Sequence, residues 1–376
     1  MRLYYFFSSL LYFFKNIFVT KHYNIIFYSP HHFNRGFKGE NLYFKDILLL
    51  CRKNNLSFLY LEEPDIYSNQ LRSNIAVPFD FIFYLIIFLR RLMGSEMPYV
   101  YSDQKIGNFL KNIFFRNITF DNYITISQSM LSLFNGINPH AKKFDLQHGT
   151  IHAKKKNYLF DGKVSDNLFY NNANLLLYGS SFRDILVKHD RDRFFINHTY
   201  VIGCSCFEKN NYKSSKPNNN VLVSLQFTHD HSLIENTEIA NNLEKEIIKG
   251  SKFHFYLKSH PRFNNEVNLS RFLSFPNVSL ISGNLKECFD KCSIHLTLYS
   301  TVAFEAGILG IPTYFMKLDS LSRDIFNTQY NYPFFNYELS DIFDNYLKCS
   351  SESIDWASHF YQPFSEKVFL QSINNG

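Results

Sequence analysis

The run LTLYSTVAFEAGILGIPTYFM, Leu296 to Met316, holds the residues whose types and spacing are best suited to chemistry. Apolar residues alternate up to Leu298, and the period then changes to helical after Ser300-Thr301. Hydroxyl side chains at such a junction can cap the helix, and its free N–H groups and dipole also form an anion site. Glu305 lies one turn further on the same face as Thr301 and can accept a hydrogen bond from a ribose or sugar hydroxyl. Gly307 and Gly310 allow close approach of backbones. An ordinary capped αβ unit with Glu305 in solvent fits the same pattern.

His260-Pro261 is the second signal. Proline holds the preceding residue extended, so the imidazole is fixed where a strand ends, with Lys258 and Arg262 adding charge. It reads either as a phosphate ligand or as a turn histidine. Ligands of open α/β sheets bind beyond the carboxyl ends of the strands. That rule selects Gln226 to His229, Ser259 to Arg262, Gly283-Asn284 and Tyr299 to Thr301 in the second half. In the first half His148 and Asp161 are the candidates for a base that accepts an acceptor's proton, and His148 is equally a structural histidine. His31, His32 and Glu40 lie in the loop SPHHFNRGFKGE. Adjacent histidines seldom share a metal and no carboxylate partner is evident, so no metal is expected.

These positions imply the elements that carry them. In the second half, strands are expected at Val221 to Leu225, Phe253 to Lys258, Val278 to Ser282, Ile294 to Leu298 and Thr313 to Met316. Helices fall between them at Glu238 to Lys249 and Thr301 to Leu309. In the first half the strand candidates are Tyr23 to Tyr28, Ser57 to Leu61, Tyr123 to Ser127, Phe144 to Gln147, Leu175 to Tyr178 and Thr199 to Ile202. Helices are expected at Asn41 to Lys53 and Phe182 to His189. Such alternation gives parallel sheets covered on both faces. The polar stretch EKNNYKSSKPNNN, Glu208 to Asn220, reads as a linker. The fold class expected is α/β, two Rossmann-like domains facing a cleft. Residues 23–207 form an acceptor domain, 208–220 the linker, 221–340 a nucleotide-donor domain, and 341–376 a helical tail that crosses back.

Residues 144 to 316 resemble a broad group of GT-B enzymes that build bacterial capsules, lipopolysaccharide and wall polymers. The group includes sialyltransferase-like and Kdo-transferase-like enzymes and CDP-glycerol polymerases. The matching motifs are Gln147-His148-Gly149, Val201-Ile202-Gly203, the His-Pro of LKSHP, and the Ser-Thr pair leading a helix with a glutamate in LYSTVAFEAGILGIP. The resemblance implies that His260 and Ser300-Thr301 bind donor phosphate and that backbone near Gly283 meets the base. It departs at Cys204-Ser205, where the group commonly has Asn-Pro, and Asp161-Gly162 is only a fragment of the acidic sialyltransferase motif.

At 376 residues the chain is long enough for two domains, at roughly 100–200 residues each. With 45% hydrophobic and 19% charged residues it has material for sizeable cores, which excludes a disordered chain. A net charge of +6 suits an anionic substrate or membrane surface, and no basic run with interleaved aromatics suggests nucleic acid. The triplet Lys154 to Lys156 reads as a solvated loop. The six cysteines read as reduced thiols of a cytosolic protein, with Cys288 and Cys292 on one buried face. Residues 1–22 open with MRLYYFFSSLLYFFKNIFVT, too polar at Lys15 for a signal peptide or a span. Arg2, Ser8, Ser9, Lys15 and Asn16 form one polar stripe on a helix that lies on a membrane or docks on the protein's own core. The apolar run Phe79 to Leu89 has the same two readings.

The function expected is glycosyl transfer, inverting and without cofactor, from a nucleotide sugar, CMP-linked first and UDP-linked second. The acceptor expected is a glycan or lipid-linked glycan. A nucleotide-sugar epimerase of the same fold and a non-catalytic polysaccharide-assembly protein are the rivals.

Overall fold

The computed structural model describes residues 2–65, 70–94, 98–204, 217–260, 263, 266–318 and 320–374. The chain packs as two units. Unit 1 comprises Met1–Tyr178, Phe182–Cys204 and Phe364–Gly376, and unit 2 comprises Gly179–Ser181 and Ser205–Pro363. The 341–376 tail is therefore divided. The helix Tyr346–Phe360 packs on Val302–Ile308 in unit 2, where Gly307 lets the two backbones approach, while Glu366–Asn374 packs on the last strand of unit 1. Most of the expected linker lies outside the described residues. Its last three asparagines already belong to unit 2, where Asn218 and Asn220 donate to the carbonyl of Lys291.

In unit 1 the strands are β1 (Lys21–Pro30), β2 (Phe58–Glu63), β3 (Val77–Pro78), β4 (Ile118–Ile126), β5 (Lys142–Leu146), β6 (Leu159–Phe160), β7 (Lys163–Val164), β8 (Asn174–Leu177) and β9 (Thr199–Val201). Seven of them form a parallel sheet in the order β3-β2-β1-β4-β5-β8-β9, and β6 and β7 form a separate hairpin. The central strands are buried on both faces, as a parallel sheet between helix layers requires. Strand β4 stops at Ile126 because Ser127 and Gln128 both turn left-handed, at φ 61° and 55°.

Four helices matter below: α1 (Arg2–Asn16), α2 (Lys45–Lys53), α3 (Asp80–Met93) and α4 (Tyr99–Ile113). The polar stripe expected on α1 is split, with Lys15 exposed and its other edge turned inward. Ser9 and Asn16 are buried; the Ser9 hydroxyl accepts from the Phe81 N–H, and the Asn16 amide donates to the Tyr12 carbonyl. Phe13 docks between Phe79 and Phe115. Arg72 ties the same region together, donating to Glu62 and Asp80 while lying over the Tyr5 ring. Helix α2 begins four residues later than expected, because Asn41 spends its carbonyl on the N–H groups of Tyr43 and Phe44 and its amide on Ser29 and Tyr60.

In unit 2, β10 (Asn220–Ser224), β11 (His254–Lys258), β12 (Val278–Leu280), β13 (Ile294–Thr297) and β14 (Thr313–Phe315) form a parallel sheet in the order β12-β11-β10-β13-β14. The helix expected from Glu238 starts instead at Leu233, where Ser232 and Glu235 form a reciprocal capping box. Its first turn was hidden because Leu233 and Ile234 face solvent and break the apolar period. His295 on β13 is a core histidine. It is bonded to Thr313 and Ser224, and burial lowers its pKa to about 3.

Candidate functional site

A ligand crevice in an open parallel sheet opens where the strand order reverses. In unit 2 that point lies between β10 and β13. Gln226, just past β10, closes it from one side. Its carbonyl accepts from the Tyr299 N–H (2.8 Å) and the Thr297 hydroxyl (3.0 Å), and its amide donates to the Tyr299 carbonyl. Gln226 was expected to touch the donor; within the described structure its amide fixes the Tyr299 backbone. The ring of Tyr299 stacks on His231, interplanar angle 11°, and its hydroxyl is bonded to the His231 imidazole. His231 was not foreseen, since only the pairing of β10 with β13 brings its loop to Tyr299.

The Ser300 hydroxyl accepts from the Val302 N–H (3.2 Å) and so caps the helix Val302–Ile308. Thr301 already has helical dihedrals and its side chain makes no cap bond, which leaves its hydroxyl at the half-buried edge. Glu305 is half-buried in the first turn. On the other side of β10, His260 is half-buried beyond β11, and its carbonyl accepts from the Phe263 N–H (2.9 Å). Pro261 and Arg262 lie outside the described residues. Lys258 donates to the Gly283 carbonyl (2.7 Å) and joins the ends of β11 and β12. Gly283 has φ 107°, which a side chain would strain, and precedes Asn284, the cap of Leu285–Phe289.

In unit 1 the reversal lies between β1 and β4. His31 to Phe33 follow β1, and Ser127-Gln128 follow β4. His31 accepts from the Asp65 N–H through Nδ1 (2.9 Å), and burial beside Arg72 lowers its pKa to about 4. His32 Nδ1 lies 2.7 Å from the Asp65 carboxylate. A carboxylate only accepts, so Nδ1–H is the donor and Nε2 of the neutral ring is the basic nitrogen. Asp65 is the partner that the sequence did not reveal: it stands 34 positions from His31 and meets it only because β1 and β2 are neighbours. Burial pushes the Glu63 carboxyl, at the end of β2 and bonded by the Tyr28 hydroxyl, up to about 7.

His148 follows β5. Buried Gln147 holds it in place, accepting from the Tyr178 N–H (2.9 Å) and donating to the Gly149 carbonyl (3.1 Å). The Phe33 ring meets the imidazole of His148 edge-on, centroids 5.4 Å apart, and lies tilted against that of His32 at 4.3 Å, so one aromatic side chain touches both histidines. Asp161, the other base candidate, takes a different place. It is exposed at the β6–β7 turn, where Asp161 and Gly162 have φ 49° and 77°, the left-handed pair of a two-residue hairpin. The lysine triplet is also not uniformly solvated. Lys154 and Lys156 are exposed, but Lys155 turns inward and donates to the Thr150 carbonyl (2.6 Å).

Beneath this edge Asp145 is buried, accepting from the Gln128 N–H (2.7 Å) and the Tyr158 hydroxyl (3.4 Å). Burial raises its pKa from 3.8 to about 7 despite those donors. The folded state thus holds this proton over a range where the unfolded chain has lost it, so the contribution of Asp145 to stability falls as pH rises from about 4 to about 7 and is level above. Asp145→Asn removes that slope. The check is the urea midpoint measured at intervals from pH 4 to 8 for both proteins, with a flatter profile expected in the variant.

Two parallel α/β units of this topology are Rossmann-like domains, and the chain has the GT-B fold. No family model and no curated protein matches the sequence. Solved structures match over nearly the whole chain. MnaA of S. aureus, solved with UDP, aligns with a TM-score of 0.57 at 11% identity, covering 94% of this chain and 96% of that one. The UDP-GlcNAc 2-epimerase of Methanocaldococcus jannaschii gives 0.53 at 13%, covering 95% and 100%. A variant of the wall teichoic acid polymerase TagF gives 0.52 at 16%, covering 98% and 96%.

Proposed function

We propose that the chain is a glycosyltransferase that moves a sugar, with inversion, from a nucleotide donor to a glycan or lipid-linked acceptor in bacterial capsule or lipopolysaccharide synthesis. A CMP-sugar is the first choice of donor and a UDP-sugar the second. No metal or cofactor takes part. The donor phosphate lies against His260 and the hydroxyl and N–H groups of Ser300 and Thr301, the base lies beside Gly283, and Glu305 accepts from a donor hydroxyl. His148 takes the acceptor proton, and the donors around the phosphate stabilise it as it leaves. The enzyme works on the cytoplasmic side of the membrane.

The observation that carries this reading is that each sheet presents, at its carboxyl edge, a histidine beside a strand end fixed by a side-chain hydrogen bond. His148 follows Gln147, which bonds Tyr178 and Gly149, and His260 follows Lys258, which bonds Gly283. Fixed donors and bases are what a transfer with a charged leaving group needs. The names of similar structures, which include a UDP complex, an epimerase and a polymerase, support a nucleotide-linked substrate. The test is incubation with CMP- and UDP-sugars, with and without an oligosaccharide acceptor. Product that forms only with acceptor supports the transferase. An isomerised nucleotide sugar without acceptor identifies the epimerase, and neither turnover nor nucleotide binding leaves the assembly protein.

A further inference from the structure

The outer face of unit 1 inverts the usual order of a surface helix. On α1 the buried side holds Ser9, Phe13 and Asn16, whereas Leu3, Phe7 and Leu11, four apart, stand exposed, Leu3 and Leu11 at 73% and 69%. On α3, Ile82 and Ile86 are buried while Tyr84, Phe88 and Leu92, again four apart, are exposed. The two helices pack together through Phe6 against Phe81 and Tyr84, so their stripes are neighbours. Phe14 and Phe81 both touch Phe114 at the end of α4. Contiguous exposed apolar surface of this kind marks an interaction site.

Charge selects the occupant. Among the described residues of α1, α3 and α4 the two acidic side chains, Asp80 and Asp103, are buried and paired with Arg72 and Arg90. The exposed charges are cations set among the apolar residues. Lys15 follows Leu11 by one turn, Arg91 follows Phe88 by three residues, and Lys111 lies in the last turn of α4. No described helix is long and apolar enough to cross a bilayer. A helix with an apolar stripe and basic neighbours lies instead in the interface of an anionic membrane. We infer that the α1–α3 face docks on anionic lipid and holds unit 1 at the membrane surface. The inference does not depend on the transferase reading, because it rests on no site residue.

The test is sedimentation of the full chain with vesicles of phosphatidylcholine alone or with 30% phosphatidylglycerol added. Wild type is expected to pellet with the anionic vesicles, more weakly with the neutral ones, and less as salt rises. Leu11→Asp with Phe88→Asp, both exposed positions, is expected to lower vesicle affinity more than tenfold. Lys15→Gln with Arg91→Gln is expected to lower it about fivefold for each cation lost, on anionic vesicles only. Failure of wild type to pellet, or equal binding by the Asp variant, overturns the inference. So does wild type that is dimeric by light scattering and made monomeric by the Asp pair, which assigns the face to a second copy. Nucleotide binding is measured on the same proteins. If it persists while lipid binding fails, only the docking surface is lost, and if lipid binding persists without it, only the donor site is.

Discussion

Replacing His148 by alanine lowers transfer by on the order of 10²–10⁴-fold, the usual contribution of a general base. It leaves nucleotide binding and the unfolding midpoint near wild type. The separation of effects follows from the local geometry. The position of the loop is set by Gln147, whose amide bonds join it to Tyr178 and Gly149 and survive the substitution. The imidazole itself is half-buried and meets the Phe33 ring edge-on, a contact that sets no backbone position. The variant's residual activity should no longer show the acidic limb of the kcat/KM profile, since the group whose protonation blocks catalysis is gone. The His32–Asp65 pair provides the control. His32 is the other imidazole beside Phe33, and Asp65 gives it a fixed tautomer. Loss of transfer in His32→Ala together with near-normal rates in His148→Ala would move the base to His32 and overturn the assignment.

The strands were legible because a parallel sheet buried on both faces demands short continuous apolar runs, such as Ile25 to Tyr28 on β1 and Val221 to Val223 on β10, and such runs are bounded by visible turn residues. The glutamine and hydroxyl positions beyond them followed from the strand-end rule alone. What could not be read was any relation set by strand order. The Asp65 partner of His32 and the His231 partner of Tyr299 come from loops far apart in the chain that meet because β1 pairs with β2 and β10 with β13. The structural part of Gln226 was hidden for the same reason, because a strand-end amide looks identical in sequence whether it meets a ligand, the next strand or both. The hairpin at Asp161 was missed because Asp-Gly is both a fragment of an acidic motif and a strong hairpin turn, and the short strands on each side of it place it in the turn. Helix α1 misled in another way. Its polar stripe did not show which side packs inward; Ser9 and Asn16 satisfy backbone groups inside, which leaves leucines and aromatics of the opposite stripe outside.

His260→Ala should weaken nucleotide affinity roughly ten- to hundredfold, the loss expected when one hydrogen bond to a charged phosphate is removed at about 1.5–3 kcal/mol. The measurement is thermal stabilisation by CMP, CDP, UDP and GDP. At a concentration of about 100 Kd, binding stabilises the fold by about 2.7 kcal/mol, and in the variant that falls to between about 1.4 and 0.4 kcal/mol. His260 is a cleaner probe than Ser300. The Ser300 hydroxyl caps the Val302 N–H, so its removal costs about 1 kcal/mol of stability before any ligand is added. The bond from the Phe263 N–H to the His260 carbonyl is a backbone bond and is kept in the alanine variant. A shift with one nucleotide that is lost in His260→Ala therefore fixes the phosphate site and names the base, CMP pointing to a sialic acid or Kdo donor and UDP to a hexose donor or to the epimerase. An unchanged shift in the variant would mean that the phosphate does not rest on His260. The remaining candidate would then be the β10–β13 crevice itself, where Thr301 and the Tyr299–His231 stack stand at the strand reversal without help from β11.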